Sequence, residues 1–343
     1  MPTIEISEAP KGGQKLSGKI ESQGVFRHVL ACVDTSAFSH AALAHASAIA
    51  SAMDARLTVM RVLEPAASNQ APTDPVEWTL RHRDAENEVR HLAAQFDDLR
   101  TGAVVIDGLA AERICAWACD QRADLTVLGV GGDSHWQFAG LGSTARRVAE
   151  ACKGSVLLVP SAGTGDEPLR YRRVMTPLDG SSRSECALPI AAGIAAAHDA
   201  EIVLVHAAPN IELTETGPLE AEALALRDQL RQRNERIAEQ YLRGVKSRLP
   251  RAQVSMRTRV LANGDPRHAL ARAVEEDNAD IIVLSSTGLS GHSDLSVGSV
   301  ADYLINHVDK PILLVRSYEW QPLRIQRYAE RTQAVRLPSR AQM

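Results

Sequence analysis

The chain has 343 residues, 45% of them hydrophobic and 23% charged, with a formal net charge of -4 and a sequence pI of about 6.3. That length predicts two domains, and the composition is that of a globular protein with ample core, which excludes a disordered or fibrous chain. The mildly acidic balance gives no electrostatic footprint for DNA, RNA or an anionic membrane surface.

From Met1 to Gln23 the sequence is polar, with no apolar stretch of a secretion signal, and no later run reaches the about 18 apolar residues of a membrane span. The expected compartment is therefore the cytoplasm. Val29-Leu30-Ala31-Cys32-Val33 is a continuous apolar run, the pattern of a strand buried on both faces of a parallel sheet, and Asp34 closes it. Ser36 to Met53 places Phe38, Ala42, Ile49 and Met53 on one helical face, and Leu57 to Val62 reads as the second strand. Asp74-Pro75-Val76-Glu77 combines a cap, a first-position proline and a carboxylate, and opens a charged helix expected to run to about Leu99. Ala103 to Ile106 as strand, Ala110 to Gln121 as helix and Leu125 to Leu128 as strand follow. Then comes a glycine-rich loop, Gly129 to Gly142, a helix from Ser143 to Cys152 and a strand from Val156 to Val159. Alternating strands and helices of this kind predict a doubly wound α/β domain.

Ser161 to Pro168 is a linker by composition, and after it the order restarts. Val174 to Asp179 answers the first strand with its aspartate, and Ile202 to His206 answers the second. A long helix is expected from about Leu219 to Arg248, then an alternating strand through Val254, Met256, Thr258 and Val260. Asp265-Pro266 repeats the cap-then-proline start. Ile281 to Leu284, a second loop, a helix from Ser299 to His307 and a strand from Ile312 to Val315 complete the copy. Asp179 lies 145 residues after Asp34, and Gly298 lies 156 after Gly142, as two copies of one domain require when the second has the longer helix. The expected boundaries are 1–23 for a loose arm, 24–162 and 169–318 for the domains, and 319–343 for a tail. Pro189 and Gly193 should make the first helix of the second copy kink or start late. The apolar final strands are candidates for pairing across the copies, which would cover two aggregation-prone edges.

The position of the glycine loop decides the chemistry. A dinucleotide fingerprint follows the first strand, but here the first strands are followed by D-x-S-x-x-S (Asp34/Ser36/Ser39 and Asp179/Ser181/Ser184), and the glycines follow the fourth. No G-x-x-x-x-G-K-[ST] and no G-x-S-x-G occur, so P-loop and serine-hydrolase readings lose their central residue. A glycine loop running into a helix N-terminus lets backbone N–H groups approach an anion, with Ser143 expected as the helix cap. The competing readings are tight turns for the glycines and plain capping for the two aspartates. Arg146 and Arg147 read as a solvated face, and His206 as a satisfied histidine rather than a metal ligand. The five cysteines (Cys32, Cys115, Cys119, Cys152, Cys186) show no C-x-x-C and read as core thiols of a reducing compartment.

Gly129, Gly132 and Gly142-Ser143 are spaced as glycine, two residues, glycine, nine residues, Gly-Ser; Ser285, Gly288 and Gly298-Ser299 repeat the spacing with serine first. Together with the doubled D-x-S-x-x-S, this pattern resembles the universal stress protein family in its tandem form, over nearly the whole chain. The resemblance implies two parallel five-stranded sheets in the order 3-2-1-4-5 with helices on both faces, packed as an internal pseudo-dimer. It implies ATP, with or without magnesium, held in the first copy by Asp34, Val62, Leu128, Gly129, Gly132, Gly142, Ser143 and Thr144. In the second copy the implied residues are Asp179, Ala207, Leu284, Ser285, Gly288, Gly298, Ser299 and Val300. Asp133, beside Gly132, would repel phosphate, and Ser285 would be strained if its position needs a positive φ. The expected function is a nucleotide-binding stress-response regulator with at most trace hydrolysis. The alternatives are a slow ATPase or nucleotidyl enzyme in the same crevice, and a nucleotide-free scaffold for proteins or small apolar ligands. Partner proteins and a homodimer stay open; no nucleic acid, membrane or dedicated protein metal site is expected.

Overall fold

The structure, a computed structural model, describes residues 26–64, 75–96, 98–130, 141–160, 169–208, 221–249, 254–262, 264–288 and 297–316. Its first copy comprises β1 (His28–Val33), α1 (Phe38–Ala52), β2 (Arg56–Leu63), α2 (Pro75–Ala93), β3 (Thr101–Asp107), α3 (Ala110–Asp120), β4 (Leu125–Gly129), α4 (Ser143–Ala151) and β5 (Ser155–Val159). The second comprises β6 (Arg173–Pro177), a 3-10 turn (Ser184–Ala187), α5 (Leu188–His198), β7 (Glu201–Ala207), α6 (Ala221–Arg248), β8 (Ser255–Leu261), α7 (Pro266–Glu276), β9 (Ile281–Ser285), α8 (Ser299–His307) and β10 (Ile312–Val315).

The strands run β3-β2-β1-β4-β5-β10-β9-β6-β7-β8. Each copy thus has the order 3-2-1-4-5, but the expected two sheets are one: β10 pairs antiparallel with β5, Leu313 opposite Leu157, while all other pairs are parallel. Every residue of β5 and β10 is buried, so an unpaired edge here would expose backbone and apolar side chains together.

Alternation along the strands supplies two cores. Val29, Ala31 and Val33 of β1 face one core with residues of α1, α2, α5 and α6, whereas Leu30 faces the other with residues of α3, α4, α7 and α8. Each core therefore continues through both copies. The edge strand β8 has no fully buried residue, which explains its alternating sequence.

Two helix expectations and one cysteine expectation need correction. α2 ends at Ala93, and Leu99 lies in the following turn, its N–H donated to the Phe96 carbonyl; Asp74 and Leu219 fall outside the described residues. α1 begins at Phe38 rather than Ser36, because Asp34, Ser36 and Ser39 form a closed turn ahead of it. Cys119 is exposed, since it lies on the solvent side of α3, while Cys152 and Cys186 are buried and Cys32 and Cys115 half-buried. As the sequence suggests, α5 starts late: Pro189 occupies its first turn after the 3-10 turn.

The helices α1 and α5 meet across the copies around Tyr171, which is 1% exposed. Its hydroxyl is 2.6 Å from Nδ1 of His45 on α1, and its ring packs edge-on against His198 of α5 at 4.9 Å. Burial lowers the His45 pKa from 6.5 to about 4 and also lowers that of His198. Between those values the unfolded chain binds more protons than the fold does, so this contribution to stability is complete above pH 6.5 and is lost as pH falls toward 4. For His45 alone the loss from about pH 8 to about pH 5 is on the order of 2 kcal/mol. Urea unfolding at the two pH values checks this, and His45→Gln, which lacks the titrating ring, is expected to decline less steeply.

Candidate functional site

The crevice of the first copy opens at the carboxyl ends of β1 and β4, neighbours at the point where the strand order reverses. Val33 stands opposite Arg61, so the next residues, Asp34 and Val62, are level with each other. The crevice has a volume of about 510 Å³, within the range of small-molecule sites. Asp34, Val62, Leu128, Gly129, Gly142, Ser143 and Thr144 all line it. Gly132, Asp133, Trp136 and Phe138 lie outside the described residues, as do Leu289 and the tail after Arg316. Arg146 and Arg147 are exposed and do not line the crevice.

Asp34 is organised by its own turn. The Ser36 N–H and hydroxyl donate to its Oδ1 at 2.9 and 2.5 Å, and the Ser39 hydroxyl donates to the same oxygen at 2.7 Å while accepting the Asp34 N–H at 2.6 Å. Burial alone would raise this pKa; the serine hydrogen bonds and the Arg61 charge outweigh it and hold the carboxyl below its ordinary range. The carboxylate is thus ionised at neutral pH, with Oδ1 saturated. It fixes the turn and does not cap α1, whose N-cap is Ala37.

Two helix N-termini face the crevice, and they differ. The Glu64 carboxylate accepts the Ala110 N–H at 2.8 Å, so the chain itself supplies the anion at the start of α3. At α4 the N-cap is Gly142, not Ser143 as the sequence suggested; Ser143 is already helical. Gly142 has no side chain to accept the first N–H groups of α4, which leaves that end suited to an outside anion.

Sequence reasoning missed the crevice cations Arg61 and Arg81. A signal existed for Arg61, a charge in the middle of an apolar strand, and its ion pair with Glu88 on α2 accounts for it. Arg81 gave no signal beyond being one of many charges on α2. Gly129 is needed for proximity rather than for backbone conformation: a Cβ there would lie 2.7 Å from the Phe38 Cβ.

In the second copy the implied residues also converge, on a different arrangement. Val205 stands opposite Pro177, which sets Ala207 level with Asp179, and Leu284 and Ser285 end β9 beside Leu314 and Val315. The Gly298 N–H donates to the Ser286 carbonyl at 2.7 Å, and Ser299 and Val300 begin α8. The Ser285 backbone has no positive φ, so serine is accommodated without strain, and its hydroxyl donates to the Thr287 carbonyl at 3.0 Å. Ser181 holds Asp179 Oδ1 as Ser36 holds Asp34, but the Ser184 hydroxyl turns to the Ser181 carbonyl. Asp179 Oδ2 packs directly against Gly288, where any Cβ would collide with it. His206 is satisfied at Nδ1 by the Leu178 carbonyl at 2.8 Å. Among the described residues no group of three or more His, Cys, Asp or Glu could hold a metal ion, and no helix is long and apolar enough to cross a membrane.

The sequence profile of the Universal stress protein family matches residues 26–160 and 170–316. The chain belongs to that family. A universal stress protein of Mycobacterium tuberculosis is 25% identical over 194 residues, covering 57% of this chain and 62% of that relative's length. Among solved structures, a Pseudomonas aeruginosa protein described as functionally unknown aligns over 91% of this chain and 98% of its own, with TM-score 0.60 and 14% identity. A universal stress protein from Archaeoglobus fulgidus aligns over 84% and 96%, with TM-score 0.57 and 16% identity. These two likenesses show the tandem fold.

The Gly129 and Ser285 contrast is testable. Gly129→Val is expected to force Phe38 aside and lower unfolding free energy by about 1–3 kcal/mol, whereas Ser285→Gly should change it by less than about 1 kcal/mol. Urea denaturation of the two variants measures the difference.

Proposed function

We propose that the chain binds an adenine nucleotide, ATP, in the first copy's crevice and acts as a stress-response regulator with at most trace turnover. The observation that carries this reading is the convergence on one crevice of an ionised aspartate, two arginines and a helix N-terminus whose cap residue has no side chain. Asp34 and Val62 take the adenosine end, and Gly142, Ser143 and Thr144 take the phosphates at the positive end of α4. Gly132 belongs to the same phosphate loop. Magnesium, where present, arrives with the nucleotide.

The non-enzymatic reading rests on Asp34. A general base works best with a pKa near the operating pH, and this carboxylate is held below its ordinary range with Oδ1 already accepting three hydrogen bonds. The second copy is proposed as the weaker site, through Asp179, Ala207, Leu284, Ser285, Gly288, Gly298, Ser299 and Val300, since Asp179 must first leave Gly288. The setting we propose is the cytoplasm, where the pseudo-dimer reports its nucleotide state to a partner protein; association of two chains is compatible with this.

Mass spectrometry of the gently purified protein is expected to find bound ATP. By calorimetry, Asp34→Ala should weaken ATP binding about tenfold or more, the equivalent of one charged hydrogen-bonding group, while Asp179→Ala leaves the tighter site within about twofold. Unchanged affinity in Asp34→Ala would sink the site. Accumulation of ADP over many turnovers would favour the enzyme, and failure to bind any nucleotide would favour the scaffold.

A further inference from the structure

The ten-stranded sheet ends in two edges, and they are guarded differently. On β8 the long side chains of Arg257 and Arg259 stand at the edge and are held by the end of α7: Arg257 pairs with Asp277 at 3.0 Å, and Arg259 pairs with Glu276 and with Asp277 at 2.8 Å. Charged residues of this kind keep an edge from accepting another strand. β3, Thr101-Gly102-Ala103-Val104-Val105-Ile106-Asp107, has no charge before its last residue, no proline, and no strand on its outer side among the described residues. It is an open template for a further strand.

Which groups of β3 point outward follows from its inner side. The Leu57 N–H donates to the Arg100 carbonyl and the Gly108 N–H donates to the Leu63 carbonyl, so the even-numbered residues bond to β2 and the N–H and C=O groups of Thr101, Ala103, Val105 and Asp107 face away from it. Gly102 and Ala103 are exposed. A glycine inside a strand weakens it and marks a place where another backbone approaches closely, yet the chain itself supplies no such approach: a Cβ at Gly102 would meet nothing nearer than Thr58 Oγ1 at 3.7 Å. Val105 packs against one core, Val104 and Ile106 against the other, and all three are only half-buried. Leu109, just beyond the strand, is 51% exposed.

We propose that β3 pairs antiparallel with β3 of a second chain, with Val104 on the two-fold axis, so that two chains share one continuous sheet. A two-fold axis normal to the sheet sets residues of equal parity opposite each other, and centring it on Val104 uses the whole strand: Thr101 stands opposite Asp107 and Ala103 opposite Val105, on both sides of the axis. These are the residues with outward groups, so each such pair exchanges both of its main-chain hydrogen bonds. Exposed Gly102 receives Ile106 and exposed Ala103 receives Val105, small against large. The charges fit as well. No like charges face each other, and the Thr101 hydroxyl, which in one chain donates to the Phe96 and Leu99 carbonyls at 3.3 and 3.2 Å, meets the Asp107 carboxylate, which in its own chain lies 4.0 Å from His82 Nε2. The same register carries Leu109 toward Leu99 of the second chain. A strand of unrelated sequence has no reason to match this edge, whereas a second β3 matches it in size, charge and hydrogen bonding together. The pairing repeats between chains what β5 and β10 do within one, and it does not depend on what the crevice binds.

Sedimentation equilibrium of the full chain over a concentration series is expected to give a dimer of the 37.1 kDa chain. Ala103→Pro removes an outward N–H without touching the bonds to β2, and should raise the dimer dissociation constant about tenfold or more. Ala103→Lys gives β3 the guard that β8 has, and should do the same with the fold intact. The register is read separately. Val104 and its mate form a non-hydrogen-bonded pair with Cα atoms about 4.5 Å apart, within the reach of a disulfide. In a Cys119→Ser background, which removes the exposed native thiol, Val104→Cys should cross-link two chains under mild oxidant, whereas Ala103→Cys, whose mate is Val105, should not. A single chain at every concentration, a dimer that both Ala103 variants leave unchanged, or no cross-link through Val104→Cys would overturn the proposal. So would slow hydrogen exchange at the Ala103 and Val105 amides in a monomer, which would show the edge already taken by the chain itself.

Discussion

The antiparallel pairing of β5 with β10 is the constraint from which the rest of the molecule follows. Both strands are buried on both faces, and their register, Ile312 opposite Leu158 and Leu314 opposite Val156, keeps side chains in step across the joint. Val156, Leu158, Ile312 and Leu314 enter one core, and Leu157, Val159, Leu313 and Val315 enter the other. Neither copy has a separate interior. Pulling them apart would expose two apolar edges and open both cores, so the pair behaves as one folding unit with β3 and β8 as its only edges in the described sheet. The same pairing carries Arg316 of the second copy to the end of α4 in the first, and α1 meets α5 over Tyr171, joining the copies on the other face.

Within that shared frame the two crevices diverge through a few coordinated changes. At position 129 the glycine makes room for the Cβ and main chain of Phe38 at the start of α1. The corresponding residues in the second copy are Arg183 and Ser285, and there a serine occupies ordinary strand backbone without strain. In the first copy Ser39 locks onto the aspartate, whereas in the second Ser184 turns to a carbonyl and the aspartate reaches across to Gly288. An identical D-x-S-x-x-S therefore carries different hydrogen bonds in the two copies: the Ser39 hydroxyl donates to Asp34, whereas the Ser184 hydroxyl donates to the Ser181 carbonyl.

The fold was largely legible from the sequence. Continuous apolar runs such as Val29 to Val33 and Ile281 to Leu284 have one physical reading, a strand covered on both faces, and their alternation with amphipathic helices gives the doubly wound order. Helix ends were less legible. α2 stops at Ala93 because the chain must turn to reach β3, and the cap of α4 is Gly142 rather than Ser143 because the chain enters the helix one residue earlier than its best capping side chain. In the site, residues adjacent to strand ends were legible through the family resemblance that their motifs carry. Arg61 and Arg81 were not, since a charge's value to a crevice depends on which way its strand or helix faces.

What the sequence determined by itself is the repeated unit: its alternating strands and helices, the aspartate after the first strand and the glycine loop after the fourth, all set by local periodicity and spacing. Tertiary structure alone decided that the units share one sheet, that Asp179 packs against Gly288, and that Arg316 of the second copy reaches the carboxyl end of α4 in the first. Those outcomes depend on contacts between residues far apart in the chain, and local propensity carries no information about which distant partner will fill the space beside a given side chain.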